Sequence, residues 1–234
     1  GQTIIPTLKQ RLASPSDVID LGGVAELKGI RMEGDELVIG AMTTHGEVHE
    51  SEVVRGAVPV LNEVGGLIGD PQVRNLGTIG GSIANNDPAA DYPAALVALR
   101  ATVQTDRRSI PADDFFTGMF ETALEPGEIV TAVRFPKPSR AGYAKFRNPA
   151  SRYAIVGVMV AETGGETRVA VPGAAPAVFR ATEIEAALAG DFRPEAVEGV
   201  TIAPDGLNSD LHASAEYRAH LVKVMAKRAV QAAR

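Results

Sequence analysis

Apolar and polar positions along the first part of the chain predict a series of short helices and strands. Apolar residues at helical spacing, with Pro6 in the first turn, predict a helix over residues 4–13. Runs with strand patterning flank Glu33-Gly34-Asp35 and predict a hairpin. The further predicted elements are a strand over 18–21, hairpin strands over 27–32 and 36–41, a helix that follows Thr43 or Thr44 and ends at 51, a helix over 58–66, a short helix and then a strand within 93–106, and a strand over 128–136.

The pattern changes after the prolines at positions 136 and 138. We predict a domain boundary there, with an N-terminal domain over residues 1–138 and a C-terminal lobe over 142–234. The chain opens on Gly1 with no Met, and we expect a preceding segment to be missing. The C-terminal lobe is predicted to hold a strand over 142–148, a strand or helix over 153–163, a turn and strand over 164–175, a helix over 181–190 and a long helix from about Ser214.

Composition and charge narrow the classes of function. The chain has 234 residues, a formal net charge of −6 and no basic run, which disfavours nucleic acid as a partner. It contains no cysteine, so it offers no thiolate for an iron–sulfur cluster, a cysteine zinc site or a disulfide. No apolar stretch approaches the length of a membrane span, and the predicted location is the cytoplasm.

The stretch GTIGGSIANNDPAADYP, residues 77–93, carries the strongest chemical signal. Gly80 and Gly81 lack a Cβ, so the backbone can approach a bulky anion and present successive N–H groups to it. Thr78 and Ser82 can add hydroxyl groups, and Asp91 can accept hydrogen bonds from ribose. These residues suggest a nucleotide cofactor, but a long surface loop with turn glycines fits the same pattern. The stretch is neither a G-x-G-x-x-G fingerprint nor a P-loop.

Other candidate chemistry has little support in the sequence. His45 and His49 have the spacing of a zinc motif, but Gly46 stands where the motif has its glutamate, so we predict no metal site. No serine has a base at a recognisable spacing, so a serine hydrolase is not predicted and we assign no catalytic residue.

The segment GDPQVRNLGTIGGSIANNDPAADYPAAL resembles the second FAD motif of the flavoprotein medium subunit of the molybdenum hydroxylases, the carbon monoxide dehydrogenase and xanthine dehydrogenase family. Gly1-Gln2-Thr3 resembles the tail of the family's first FAD motif. The resemblance extends over nearly the whole chain and includes VIGAMTTHGEV, PGEIVTAVRFP, FRNPASRYAIVGVMVA and SDLHASAEYRAHLV. Ser82 departs from the pattern, because many members have Asn there.

The resemblance implies an α+β fold: a two-lobed FAD-binding domain of the vanillyl-alcohol oxidase-like type and a C-terminal lobe of three antiparallel strands plus helices. It implies an electron-transfer subunit that carries FAD. Electrons would come from two [2Fe–2S] clusters on a small subunit, after substrate oxidation at a molybdenum–pterin centre on a large subunit, in a dimer of heterotrimers. The alternatives are a flavin-free scaffold subunit and a stand-alone flavin oxidoreductase. Neither the substrate nor the final electron acceptor follows from this chain.

The resemblance also implies positions for the residues that bind FAD. Two groups would hold the pyrophosphate, one from each side, and Asp91 would bind ribose. Arg168 is a further candidate without an assigned group. The pyrophosphate residues are Gly1, Gln2 and Thr3 on one side and Thr78, Gly80, Gly81 and Ser82 on the other, and those near the isoalloxazine are Ile68, Tyr153 and Ile155.

Overall fold

The structure is a computed structural model that describes residues 2–234, so the predictions for Gly1 lie outside it. Short elements dominate, and the C-terminal helix is the longest. The strands are β1 (Ile30–Glu33), β2 (Glu36–Gly40), β3 (Thr102–Thr105), β4 (Ser109–Pro111), β5 (Phe116–Gly118), β6 (Glu121–Thr122), β7 (Val130–Pro136), β8 (Arg140–Arg147), β9 (Ala154–Thr163), β10 (Glu166–Val171) and β11 (Phe179–Arg180). The helices are α1 (Ile4–Lys9), α2 (His45–Glu50), α3 (Glu52–Ala57), α4 (Pro59–Leu67), α5 (Pro71–Leu76), α6 (Ile79–Asn85), α7 (Tyr92–Ala98), α8 (Ala112–Phe115), α9 (Thr182–Gly190) and α10 (Ala215–Ala232).

The first sheet has five antiparallel strands in the order β1-β2-β7-β3-β4. Its central strand, β7, pairs Phe135 with Leu37 of β2 and Val133 with Val103 of β3. All four of these side chains are fully buried in one core together with helices α4, α6 and α7. The predicted hairpin of β1 and β2 and the predicted strand β7 are therefore present in one sheet.

The second sheet has the order β11-β10-β9-β8 and is also antiparallel. The three long strands are those expected for the C-terminal lobe, and β11 adds a fourth strand of two residues. Helix α10 packs on β8 and β9. It approaches so closely that a Cβ on Gly142 would lie 2.2 Å from the carbonyl oxygen of Ala229.

Strand β9 is buried on both faces. Val156, Val158 and Val160 belong to a second core with α9 and α10, whereas Met159 and Ala161 belong to the core of the first sheet. Because both faces are apolar, the alternation that distinguishes a strand from a helix is absent from its sequence. The segment 153–163, for which the sequence predicts a strand or a helix, therefore forms a strand.

Two sequence predictions for the first part of the chain are wrong. No strand forms over residues 18–21, and Ile19 is 83% exposed, because no neighbouring strand in the described part of the chain pairs with this segment. Helix α1 ends at Lys9 rather than at residue 13. Among residues 2–234, we find no helix with the length and apolar character needed to cross a bilayer.

Candidate functional site

A cavity of about 740 Å³ lies between the N-terminal segment, helices α5 and α6, and the loop that joins β8 to β9. This volume is within the range of small-molecule and cofactor sites. Its wall combines apolar, hydroxyl and glycine positions. The lining residues include Gln2, Thr3, His45, Ile68, Gly69, Gly77, Thr78, Gly81, Ser82, Asp91, Arg152 and Tyr153.

The glycine-rich stretch forms helix α6, not the turn or loop expected from its sequence. Thr78 caps the helix: its Oγ1 accepts from the N–H of Gly81 at 3.1 Å. The N–H of Gly80 donates to Ala41 O at 2.9 Å, and that of Ser82 donates to Thr78 O at 3.0 Å. The expected row of free backbone N–H groups is therefore not formed, because these groups are bonded within the protein. At the cavity this helix and its N-cap present two hydroxyl residues, Thr78 and Ser82, and the bare Cα of Gly81, followed by Ala84 and Asn85.

The structure requires glycine at the two adjacent positions for different reasons. A Cβ on Gly80 would lie 2.5 Å from the Ala41 Cβ and 2.7 Å from the Ala41 carbonyl oxygen, so Gly80 permits the close approach of α6 to the end of β2. Gly80 does not line the cavity. A Cβ on Gly81 would meet only Thr78 Oγ1, at 3.0 Å, and would otherwise enter open space beside the cavity. Gly81 is thus the glycine whose missing side chain leaves room for a ligand.

Asp91 lies at the base of the cavity in a buried polar cluster. Its Oδ1 accepts from the Tyr143 hydroxyl at 2.5 Å and its Oδ2 from Lys145 Nζ at 2.7 Å. The side chain of Lys145 is only 2% exposed, and Nζ also donates to Leu67 O at 3.0 Å. Burial raises the pKa of Asp91, and the Lys145 ammonium opposes that rise. Sequence reasoning missed Tyr143 and Lys145, because an isolated lysine in a strand pattern normally indicates a solvent-facing position.

The loop between β8 and β9 closes the other side of the cavity. The N–H of Asn148 donates to Tyr153 O at 2.8 Å, which closes the loop on itself. Arg152 has φ = +64° and donates from Nη1 to Gly69 O at 3.1 Å. This bond joins the loop to the turn that carries Ile68. Tyr153 is 48% exposed at the cavity wall.

His45 begins helix α2 and is 5% exposed at the cavity wall. Burial, with a smaller contribution from the Arg74 charge, lowers the pKa of His45 to about 4. His49 faces elsewhere, since its Nδ1 lies 2.8 Å from Asn62 O. Among residues 2–234, no cluster of three or more His, Cys, Asp or Glu side chains is placed to hold a metal ion.

We expect the ligand-free chain to lose stability through His45 as the pH falls. The pKa of about 4 in the folded protein lies below the ordinary histidine pKa of 6.5, so the fold favours neutral imidazole. The resulting stabilisation is complete above about pH 6.5 and is lost between pH 6.5 and 4. Denaturant unfolding at pH 7 and 4.5 should show a loss that is about 2–3 kcal/mol larger for the parent than for His45→Gln. Equal losses in the two proteins would contradict a buried neutral His45.

The structure brings most of the predicted site residues to this cavity. Gln2, Thr3, Ile68, Thr78, Gly81, Ser82, Asp91 and Tyr153 line it. Gly80 packs against Ala41 and does not line the cavity. Ile155 belongs to the second core, and Arg168 is engaged by Asp113 and Glu166, each at 2.8 Å. Neither Ile155 nor Arg168 lines the cavity.

Comparison with known proteins identifies the family to which this fold belongs. Residues 1–138 match the family model described as the FAD binding domain in molybdopterin dehydrogenase, and residues 141–233 match the CO dehydrogenase flavoprotein C-terminal domain. The chain belongs to the FAD-binding medium subunits of the molybdenum hydroxylases. It is therefore an FAD-binding subunit of a multi-subunit oxidoreductase with a role in electron transfer, and the predicted family, fold class and cofactor are confirmed.

Individual medium subunits match over the length of the chain. The carbon monoxide dehydrogenase medium chain of Hydrogenophaga pseudoflava is 36% identical, with 100% of this chain and 87% of the relative covered. The nicotine 6-hydroxylase medium subunit of Paenarthrobacter nicotinovorans is 37% identical, with 98% and 86% covered. A solved structure of the Hydrogenophaga pseudoflava carbon monoxide dehydrogenase superposes with a TM-score of 0.89 at 38% identity, with 99% of this chain and 86% of that chain covered.

The cavity fits the cofactor of the medium subunits. One feature of its wall leaves room for a ligand: the open space beside Gly81. The hydroxyls of Thr78 and Ser82 add donors of the kind that bind phosphate oxygens. The wall therefore suits a phosphate-containing group more than a purely apolar ligand.

Proposed function

We propose that this medium subunit holds FAD in the cavity and transfers electrons from the [2Fe–2S] clusters of a small subunit to an external acceptor. FAD, when bound, supplies the electron-accepting ring, and the protein supplies binding, orientation and electrostatics. The observation that carries the proposal is the composition of the wall, which has a bare glycine and two hydroxyl residues at α6 and an exposed tyrosine at the opposite loop.

The proposed residue roles follow the positions around the cavity. Gln2 and Thr3 approach the pyrophosphate from the N-terminal segment, while Thr78, Gly81 and Ser82 approach it from α6. The backbone of α6 contributes shape, and its hydroxyls contribute hydrogen bonds, since the N–H groups are already bonded.

Asp91, Ile68 and Tyr153 serve the other parts of the cofactor. A carboxylate oxygen has two lone pairs, so Asp91 can accept from a ribose hydroxyl while it keeps its bonds to Tyr143 and Lys145. Ile68 and Tyr153 line the cavity on two loops that the Arg152–Gly69 bond joins, which suits contact with a planar ring.

We further propose that the complex contains an iron–sulfur small subunit and a molybdopterin large subunit and is a dimer of heterotrimers. The chain has no cysteine to ligate a cluster, so any iron–sulfur cluster that supplies electrons to its flavin belongs to another protein. A second matched structure is described as a Cu,Mo-CO dehydrogenase, which supports a molybdenum subunit in the complex. Two-fold symmetry is the commonest closure of oligomers. The boundary near residues 138–142 and a cytoplasmic location belong to the same proposal.

The test is the composition of the complex isolated natively through a tag on this chain. We expect flavin absorption in the blue and near-ultraviolet, with about four iron atoms and about one molybdenum atom per flavin, the content of two [2Fe–2S] clusters and one molybdenum–pterin centre. Native mass should correspond to two copies of each of three subunits. A colourless complex would support a flavin-free scaffold, and a flavin-containing monomer that turns over substrate without metals would support a stand-alone oxidoreductase.

A further inference from the structure

His45 is a buried cavity residue whose hydrogen-bonding capacity the protein leaves unused. Its side chain lines the cavity, and the residue is only 5% exposed. The Nδ1 atom is buried and has no hydrogen-bond partner within residues 2–234. Buried polar atoms are normally paired, so the unpaired Nδ1 decides which ring nitrogen can carry the proton.

The backbone fixes the position of His45 beside Gly77. The N–H of His45 donates to Gly77 O at 2.9 Å, and Thr44 and Thr78 form an antiparallel bridge. Thr44 also caps α2 through reciprocal bonds with Glu47. The imidazole lies beside the Cα of Gly77, the residue that precedes the N-cap of α6.

The surroundings of the ring select one neutral tautomer. The low pKa of His45 keeps the imidazole neutral at pH 7, so only one ring nitrogen carries a proton. A proton on Nδ1 would bury a donor without an acceptor, which costs free energy, so the proton belongs on Nε2. Nε2 lies beside the Cα of Gly77, where a Cβ would come within 2.5 Å of it, and Gly77 lines the cavity.

We infer that His45 donates a hydrogen bond from Nε2 to an oxygen of the FAD pyrophosphate. The inference rests on the proposed function, since it takes the cavity to be the FAD site with the pyrophosphate at α6. A neutral imidazole supplies a directional donor to the phosphate without adding a buried positive charge. It also supplies a hydrogen-bond donor that the backbone N–H groups of α6 cannot supply, because they are bonded within the protein.

The test replaces the ring with side chains that keep or remove this donor. The amide nitrogen of Gln reaches the place of Nε2, that of Asn reaches the place of Nδ1, and Met has the length of Gln without a donor. FAD affinity is measured by titrating FAD into the flavin-free complex. His45→Gln should bind FAD within about threefold of the parent, whereas His45→Met and His45→Asn should bind about tenfold more weakly, the loss expected for one hydrogen bond.

A purely structural role for His45 would give a different result. In the flavin-free complexes the Met variant should be at least as heat-stable as the Gln variant, because a buried amide without a partner costs free energy, so weaker FAD binding by Met would not come from a less stable fold. If Met binds FAD as tightly as Gln, or if both are weakened equally, the inference is wrong. If the parent itself does not bind FAD in this cavity, the proposed function fails instead, so the two failures are distinguishable.

Double-mutant cycles locate the contact on the cofactor. His45→Met and Ser82→Ala should be non-additive in FAD affinity if both side chains reach the pyrophosphate. His45→Met and Ile68→Ala should be additive, because Ile68 is assigned to the ring. Coupling to Ile68 without coupling to Ser82 would place the contact at the isoalloxazine and overturn the pyrophosphate assignment.

Discussion

Gly81→Val should leave the protein folded and remove FAD from it. The Gly81 Cα faces the cavity, and a Cβ there meets only Thr78 Oγ1, at 3.0 Å. Gly81 is a helical position, so valine costs α6 little and is in fact a better helix former than glycine. The branched side chain would occupy the space assigned to the pyrophosphate. We expect FAD affinity to fall by at least about a hundredfold, equivalent to about 2.7 kcal/mol.

The neighbouring glycine provides the matched control. Gly80→Ala places a methyl group 2.7 Å from the carbonyl oxygen of Ala41, and backbone cannot move aside as a side chain can. It should lower the free energy of unfolding by about 1–3 kcal/mol or more, with any loss of flavin following from the loss of fold. Flavin per chain and denaturant unfolding of both variants give the answer. A Gly81→Val protein with full flavin, or a Gly80→Ala protein as stable as the parent, would reverse the roles assigned to the two positions.

Asp91→Ala should lower the free energy of unfolding by about 3–5 kcal/mol, in addition to weakening FAD binding. Its removal leaves the Lys145 ammonium buried, with the carbonyl oxygen of Leu67 as its remaining partner. It also leaves the buried Tyr143 hydroxyl without its acceptor. This effect exceeds the loss of a single ribose hydrogen bond, which is worth about 1.5–3 kcal/mol when the acceptor is charged.

The double variant separates the two effects of Asp91. Adding Lys145→Met to Asp91→Ala removes the unpaired charge and should restore much of the lost stability, because an apolar pair can replace a buried ion pair. FAD affinity should not be restored with it. Unfolding curves and FAD titration on the single and double variants measure both. An Asp91→Ala protein with parental stability would show that the pair with Lys145 contributes little to the fold.

Much of the site could be predicted because its signals are local in sequence. Thr78, Gly81 and Ser82 are neighbours in one short segment, and the motif around them is specific enough to indicate the family. The helical state of the segment was predictable in principle, since Thr78 stands at an N-cap position. The glycine pair favoured a turn instead, because glycine in a helix is usually unfavourable.

What the sequence did not reveal depends on contacts between distant segments. Lys145 donates hydrogen bonds to Asp91, 54 positions away, and to Leu67, 78 positions away. Nothing in the adjacent sequence indicates that Lys145 is buried. Gly80 serves packing against Ala41, a contact that only the fold specifies. Residues 18–21 show the opposite error, since strand-like composition alone does not provide a partner strand.

Strand β9 has a consequence for how such subunits can be recombined. Val158 and Met159 are adjacent in sequence but lie in different cores, so one strand serves as a common wall of both lobes. A chimera that exchanges residues 142–234 for those of another medium subunit would therefore replace some of the side chains that pack in the core of the first sheet and α7. The sequence divides into two segments, but the residues that form the two cores have to come from the same protein.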